Sequence, residues 1–182
     1  MLAVFLRRVV GAVALSANTY EEVEADRGAT FQAVLVVLLA SVAAGVGARG
    51  ASGAVPALRF IAIASILSIV GWAIFATLVF EIGSRLLATR ETRTDIGEVL
   101  RTLGFAAGPG LLQIFAIFGG PVIWIFGVAI LWSLAASVVA VRQALDYDST
   151  ARAVAVCGLA WLLSLGIVVL FGSVVGLAGL SR

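Results

Sequence analysis

The sequence predicts an all-α polytopic membrane protein, a bundle of five transmembrane helices with one or two interfacial amphipathic helices. Three observations carry that prediction. The 22 charged residues are clustered, leaving uncharged stretches of 21 (28–48), 21 (60–80), 40 (102–141) and 29 residues (153–181). About 20 apolar residues cross a hydrocarbon core of roughly 30 Å as a helix, so three of these blocks cross once and the longest has room for two crossings. Composition agrees: 62% of residues are hydrophobic and 12% charged, with a mean hydropathy of +1.16, too little polar surface for a water-soluble domain. The apolar runs also lack the polar/apolar alternation of barrel strands, which leaves helices as the way to satisfy backbone hydrogen bonds in lipid.

The elements follow in order from two parts, an N-terminal segment 1–28 and a five-span domain 29–182. Within 1–17 the longest uncharged run is 12 residues (9–20), too short to cross. On a helical wheel Ala3, Arg7, Gly11, Ala14 and Asn18 oppose Leu2, Phe5, Leu6, Val9, Val10 and Val13, the pattern of a helix lying in the membrane interface. A signal peptide is the weaker reading, because Gly11 interrupts a minimal apolar region and apolar residues precede the arginines. Thr19 with Glu22 fits a capping box opening an acidic helical stretch (Glu21, Glu22, Glu24, Asp26) that runs into span one, 29–48. A turn with Gly50, Ser52, Gly53 and Pro56 leads to span two, 59–80, and Glu81 with Arg85 form a favourable i,i+4 pair at its end. Asp95 and Glu98 repeat the capping arrangement, and Ile96, Val99, Leu100 and Leu103 share one face, predicting a second interfacial helix over 95–102. A single helix over the 40-residue block would be about 60 Å long, so Gly119, Gly120 and Pro121 are read as a hairpin between span three (103–118) and span four (121–141). Arg142 with Asp146 and Asp148 with Arg152 bracket a loop before span five, 153–179.

Arginines, which collect in short cytoplasmic loops, test the count. Five spans put nine arginines on one side and three (Arg49, Arg59, Arg182) on the other, whereas one crossing of the long block would divide them 8 to 4. The N-terminus is accordingly expected in the cytoplasm and the C-terminus outside; all 12 basic residues being arginine, in an Ala, Val and Gly background, hints at a GC-rich prokaryotic genome and so at a prokaryotic cytoplasmic membrane. All ten acidic residues fall on the side of the nine arginines.

The chemistry available is sparse. There is one cysteine, Cys157, and no histidine, so an intrachain disulfide is excluded and the usual zinc ligand sets cannot form. No catalytic, cofactor or metal residues are expected, and without a basic run no nucleic acid is expected either. No ionisable residue lies inside a predicted span, which argues against proton or ion coupling. The best intramembrane candidate is a broken helix at Gly108, Pro109 and Gly110 with Gln113 one turn on, where proline deprives the Phe105 carbonyl of its helical partner. Two GxxxG pairs (Gly104/Gly108, Gly172/Gly176) are no more than chance predicts in a chain with 20 glycines. Trp72, Trp124, Trp132 and Trp161 fall inside predicted spans and are read as packing residues, as is Cys157. The candidate partner surface comprises Tyr20, Glu21, Glu22, Glu24 and Asp26 with Arg90, Arg93 and Arg101 of the long polar loop.

Three segments in sequence order carry a family resemblance. They are Thr19-Tyr-Glu-Glu-Val-Glu-Ala-Asp26 before Gln32-Ala-Val-Leu-Val-Val-Leu-Leu39; Gly97-Glu-Val-Leu-Arg-Thr-Leu-Gly-Phe-Ala106 before Pro109-Gly110-Leu-Leu112; and Val139-Ala-Val-Arg-Gln-Ala-Leu145 before the last span. They resemble prokaryotic members of the Yip family, named for Ypt/Rab-interacting membrane proteins. The resemblance implies an all-helical, five-span protein with a cytoplasmic N-terminus and a non-enzymatic role; eukaryotic relatives bind small GTPases and one another in vesicle traffic. A long cytosolic N-terminal region like that of those relatives is not expected ahead of the interfacial helix, so GTPase binding is not carried over. The resulting expectation is an organiser or accessory subunit contacting lipid and other membrane proteins or itself, the alternative being a small permease or channel lined by Gly108, Pro109 and Gln113.

Overall fold

A computed structural model describes the backbone of residues 2–52, 58–90, 92–119 and 121–180, with side chains described except at 49–52, 58–60, 168 and 171–180. The side chains of Arg49 and Arg59, all of Arg182, Gly53, Pro56 and Gly120, and the packing of Gly172 and Gly176 therefore lie outside the described residues. The described elements are α1 (Leu2–Val13), α2 (Ala17–Ala25), α3 (Ala29–Ser52), α4 (Leu58–Glu81) ending in a π-helical turn (Ile82–Leu86), α5 (Ile96–Ala106), a 3-10 helix (Gly108–Phe118), α6 (Val122–Ala144) and α7 (Thr150–Leu180). Among the described residues five stretches are long and apolar enough to cross a membrane: Ala29–Ala48, Ile61–Leu86, Ile96–Phe118, Val122–Ala144 and Thr150–Ile167.

The third stretch is the centre of the bundle. Over half of it (56%) is buried, against 11% of the second and fourth, and α5 with the 3-10 helix touches α3, α4 and α6. The seams are built from alanine and valine (Ala33, Val36, Ala76, Val79, Ala136, Ala140, Val156, Ala160), small side chains that let helices approach closely without a hydrophobic drive from water. Two glycines mark places where the backbones of neighbouring elements come close. A Cβ on Gly104 would meet Ala33 at 2.6 Å, and one on Gly47 would collide with the backbone carbonyl of Gln113.

Proline explains the change of helix type within this stretch. Pro109 has no N–H for the Phe105 carbonyl, α5 stops at Ala106, and Gly110 N–H bonds the Ala107 carbonyl at 2.9 Å in the tighter three-residue pattern. The 3-10 rise of about 2.0 Å per residue gives its 11 residues about 22 Å of length, while the 11 residues of α5 add about 16 Å. Only together do they cross a bilayer. The segment ends at Gly119, whose φ of +77° suits glycine.

Several expectations need correction. The stretch 95–102 is no separate interfacial helix: it is the first part of α5, which runs unbroken to Ala106 and is enclosed from Val99 onward apart from half-buried Leu100. The capping box itself is present, with Glu98 N–H donating to Asp95 Oδ1 at 2.9 Å and Asp95 N–H to Glu98 Oε2 at 2.8 Å. The Thr19/Glu22 box is not formed. Helix α2 already begins at Ala17 after Ser16, and Glu22 is drawn to arginines instead. Nor does the acidic helix run into span one, because Asp26 ends α2 and its carboxylate accepts the Gly28 N–H at 2.8 Å, a local turn that competes with helix. Three tryptophans face outward rather than packing inside: Trp124, Trp132 and Trp161 are exposed on the bundle surface, where lipid would cover an amphipathic ring. Glu81 and Arg85 do pair, at 3.0 Å, and Cys157 is buried.

Candidate functional site

Among the described residues, charged side chains gather at the end of the bundle where α1 and α2 lie, and these two helices are what they organise. Gly11 allows the two helices to cross, since a Cβ there would collide with the Thr19 hydroxyl. The chain reverses at Leu15 (φ +60°), and the buried Tyr20 hydroxyl donates to the Ala12 carbonyl at 3.2 Å. Arg8 fastens the hairpin. Its buried guanidinium donates from Nε to Glu22 Oε1 at 2.9 Å, from Nη2 to Asp26 Oδ2 at 2.8 Å and from Nη1 to Gln32 Oε1 at 3.3 Å. Arg7 adds a more exposed contact to Glu22 at 2.7 Å. These bonds, Arg8's first, hold both carboxyls below their ordinary range. For Arg8 itself burial opposes the charge, and the bonds to Glu22 and Asp26 outweigh it. Phe5 stacks obliquely on Phe105, with centroids 6.5 Å apart, while Leu2, Leu6 and Val10 remain exposed.

Beside this hairpin lies an open cleft of about 730 Å³ whose wall includes Glu21 and Glu24 of α2, Glu98 of α5, and Asp146 and Asp148 after α6. Arg142 is also in the wall, but it donates to its own loop, to the carbonyls of Tyr147 (3.2 Å) and Asp148 (3.4 Å). Gln143 donates to Glu21 at 2.8 Å. Burial, then the nearby charges of Glu98, Asp146 and Glu21, push the Glu24 carboxyl up to about 7 against the opposing pull of Arg101. The cleft therefore changes charge near neutrality.

The expected partner surface is thus redistributed. Tyr20 and Arg101 are buried, Arg101 donating to the Glu24 carbonyl through Nε (3.2 Å) and Nη2 (2.6 Å). Glu22 and Asp26 are committed to Arg8. Glu21 and Glu24 reach the cleft, whereas Arg90 and Arg93 are exposed and do not line it. Sequence reasoning missed Arg8 and Tyr147. Tyr147 holds the π-helical turn, donating to Gly83 O (2.8 Å) with Leu87 O 3.0 Å away, and carries Arg152 over its ring at 5.6 Å. No local pattern marks either residue, because both partners are remote in sequence.

A second cleft, of about 460 Å³, opens within the membrane-spanning part at the helix break. Gly110 and Gln113 belong to its wall with Ser41, Ser68, Trp72 and Ser133. Gly108 and Pro109 are buried and are not in its wall, and a Cβ on Gly108 would meet the Val13 side chain at 3.1 Å. The break thus places Gln113 in a cleft without putting Gly108 or Pro109 on its surface.

Five apolar spans around a buried, proline-broken third span define a polytopic helical membrane protein. The family model of the Yip1 domain matches residues 11–171, nearly the whole fold from α1 to α7. The chain belongs to the Yip family and is an integral membrane protein. Comparison with curated proteins and with solved structures finds no match.

Proposed function

We propose that this protein is a non-enzymatic membrane organiser or accessory subunit, which contacts lipid through α1 and other membrane proteins through the charged end of the bundle. One observation carries the reading. Arg8 clasps α1 to α2 and also reaches Gln32 of α3, while an apolar edge (Leu2, Leu6, Val10) is left exposed, the pattern of an element that uses the interface rather than merely connecting spans. The acidic cleft beside it complements a basic juxtamembrane segment of a partner. The charged end faces the cytoplasm in this reading, in keeping with the bias of arginines.

Photo-crosslinkers placed singly at Leu6 and at Glu21, in native membranes, test the division of labour. Leu6 should capture lipid, and a probe at position 21 should capture a discrete protein band that is lost when Asp146 and Asp148 are neutralised together. A protein that is solitary in mild detergent, with no adduct at either position and no dependence on lipid composition, would overturn the reading.

A further inference from the structure

The cleft at the helix break holds polar groups that the protein itself leaves unsatisfied. Trp72 forms part of its wall and carries a buried Nε1–H without an acceptor among the described residues. The Gln113 carboxamide, with two donors and an acceptor oxygen, makes no hydrogen bond to a described residue. Two of the wall's serines are engaged, Ser41 donating to Leu38 O at 2.8 Å and pairing with Ser65 at 2.9 Å, and Ser137 donating to Ser133 O at 2.8 Å, whereas the Ser68 and Ser133 hydroxyls, like Gln113, make no hydrogen bond to a described residue. In water an open amide is ordinary, but in hydrocarbon an unmatched donor has no solvent partner and its desolvation goes uncompensated.

Depth and charge narrow what would satisfy these groups. Trp72 lies nine residues before Glu81 in α4, and Trp161 eleven residues after Thr150 in α7, which places both about 14–16 Å along their helices from the charged end. That is near mid-bilayer, away from phosphate headgroups. No charged side chain is in the wall, so the occupant is neutral. The volume falls in the range of small-molecule sites, and Ile130 and Trp161 on the rim, each 45% exposed, open it sideways to lipid. The buried Trp72 N–H can only donate, whereas the Gln113 amide and the serine hydroxyls can do either, so the occupant must offer an acceptor.

We propose that this cleft binds a neutral, lipid-soluble molecule whose apolar body enters from the bilayer and whose carbonyl oxygen accepts a hydrogen bond from Gln113, with the Trp72 N–H in the same wall. An acyl ester or a lipid-soluble quinone would supply that chemistry. The proposal does not depend on the partner reading above.

Binding is measured by quenching of tryptophan fluorescence in detergent-purified protein with a short-chain alkyl benzoquinone, with dioctanoylglycerol and hexadecane as competitors. Two variants isolate the site. Gly71 is in the wall and a Cβ there meets nothing within 4 Å, so Gly71→Leu is chosen to occupy the cleft from a position with open space at its first added atom; Gln113→Leu removes the donor. Saturable quenching is expected, weakened about tenfold by Gln113→Leu, the loss of one hydrogen bond, and abolished by Gly71→Leu in protein that retains its helicity and elution volume. Dioctanoylglycerol should compete and hexadecane should not. Competition by the diacylglycerol points to an ester lipid, and saturable quinone binding that resists it points to a quinone. Quenching that never saturates and is equal in all three proteins overturns the proposal, as does competition by hexadecane equal to that of the diacylglycerol. If Gly71→Leu does not fold, Gln113→Leu and the competitors decide. Labelling of Gln113→Cys in a Cys157→Ala background by a charged, water-soluble thiol reagent would also overturn it, since that reports a hydrated path.

Discussion

Replacing Arg8 with alanine should release the α1–α2 hairpin while leaving the five-span bundle intact. The guanidinium is almost fully enclosed, its side chain 7% exposed, and it holds two carboxylates on α2. Truncating one partner of a fully buried ion pair costs 3–5 kcal/mol, because the other charge is stranded. Here the stranded groups, Glu22 and Asp26, keep 33% and 42% of their side-chain exposure, so water recovers part of the loss and about 1–3 kcal/mol is expected. That corresponds to an increase of about 5- to 150-fold in local opening. Hydrogen exchange of α1 and α2 amides at pH 7, read by mass spectrometry in lipid nanodiscs, measures it directly. Arg7→Ala is the control: its side chain is 65% exposed with a single contact, so under about 1 kcal/mol is expected. The dependence on pH has a definite sign. Both carboxyls are depressed in the folded protein from ordinary values of 4.5 and 3.8, so their contribution is present above those values and is lost as pH falls below about 4. Equal exchange in the Arg7 and Arg8 variants would refute the latch, and so would collapse of α3–α7 on losing Arg8.

Three further outcomes follow from the same geometry. Because the Glu24 carboxyl is raised to about 7 from 4.5, the folded protein binds the extra proton between those values. Docking of α2 should therefore loosen as pH rises through that window, and Glu24→Gln should flatten the profile of α2 exchange against pH. Tyr147→Phe removes a hydroxyl that Gly83 O and Leu87 O share and should lower stability by about 1–3 kcal/mol, seen as a reduced unfolding midpoint in a graded detergent titration. Gly47→Ala should sharply reduce the yield of folded protein, because its Cβ collides with the Gln113 carbonyl, whereas Gly71→Ala, with open space around it, should leave yield unchanged.

Legibility in the sequence followed the range of each interaction. The Asp95/Glu98 capping box and the Glu81–Arg85 pair involve residues three and four apart, and both are present as expected. Thr19/Glu22 has the same spacing as the first and fails, because Arg8, 14 residues from Glu22, offers a charged partner where capping offers a neutral N–H. Arg101 looked like a loop cation and is buried on a carbonyl 77 residues away. The tryptophans were misplaced for a related reason: helical periodicity places a residue on a face, but in a nearly uniform apolar helix it does not say which face meets lipid.

The chain by itself determined that it is helical, that it crosses a membrane five times, and that its third crossing breaks at Pro109, since charge clustering, crossing length and the missing proline donor act within a few residues of the chain. Only the tertiary structure decided that this broken crossing is the centre of the bundle, that Arg8 clasps α1 to α2, and that Glu24 meets Glu98 and Asp146 in a cleft. Those outcomes depend on which helices pack side by side, and with small residues lining nearly every seam, packing is settled by the shape of the whole assembly.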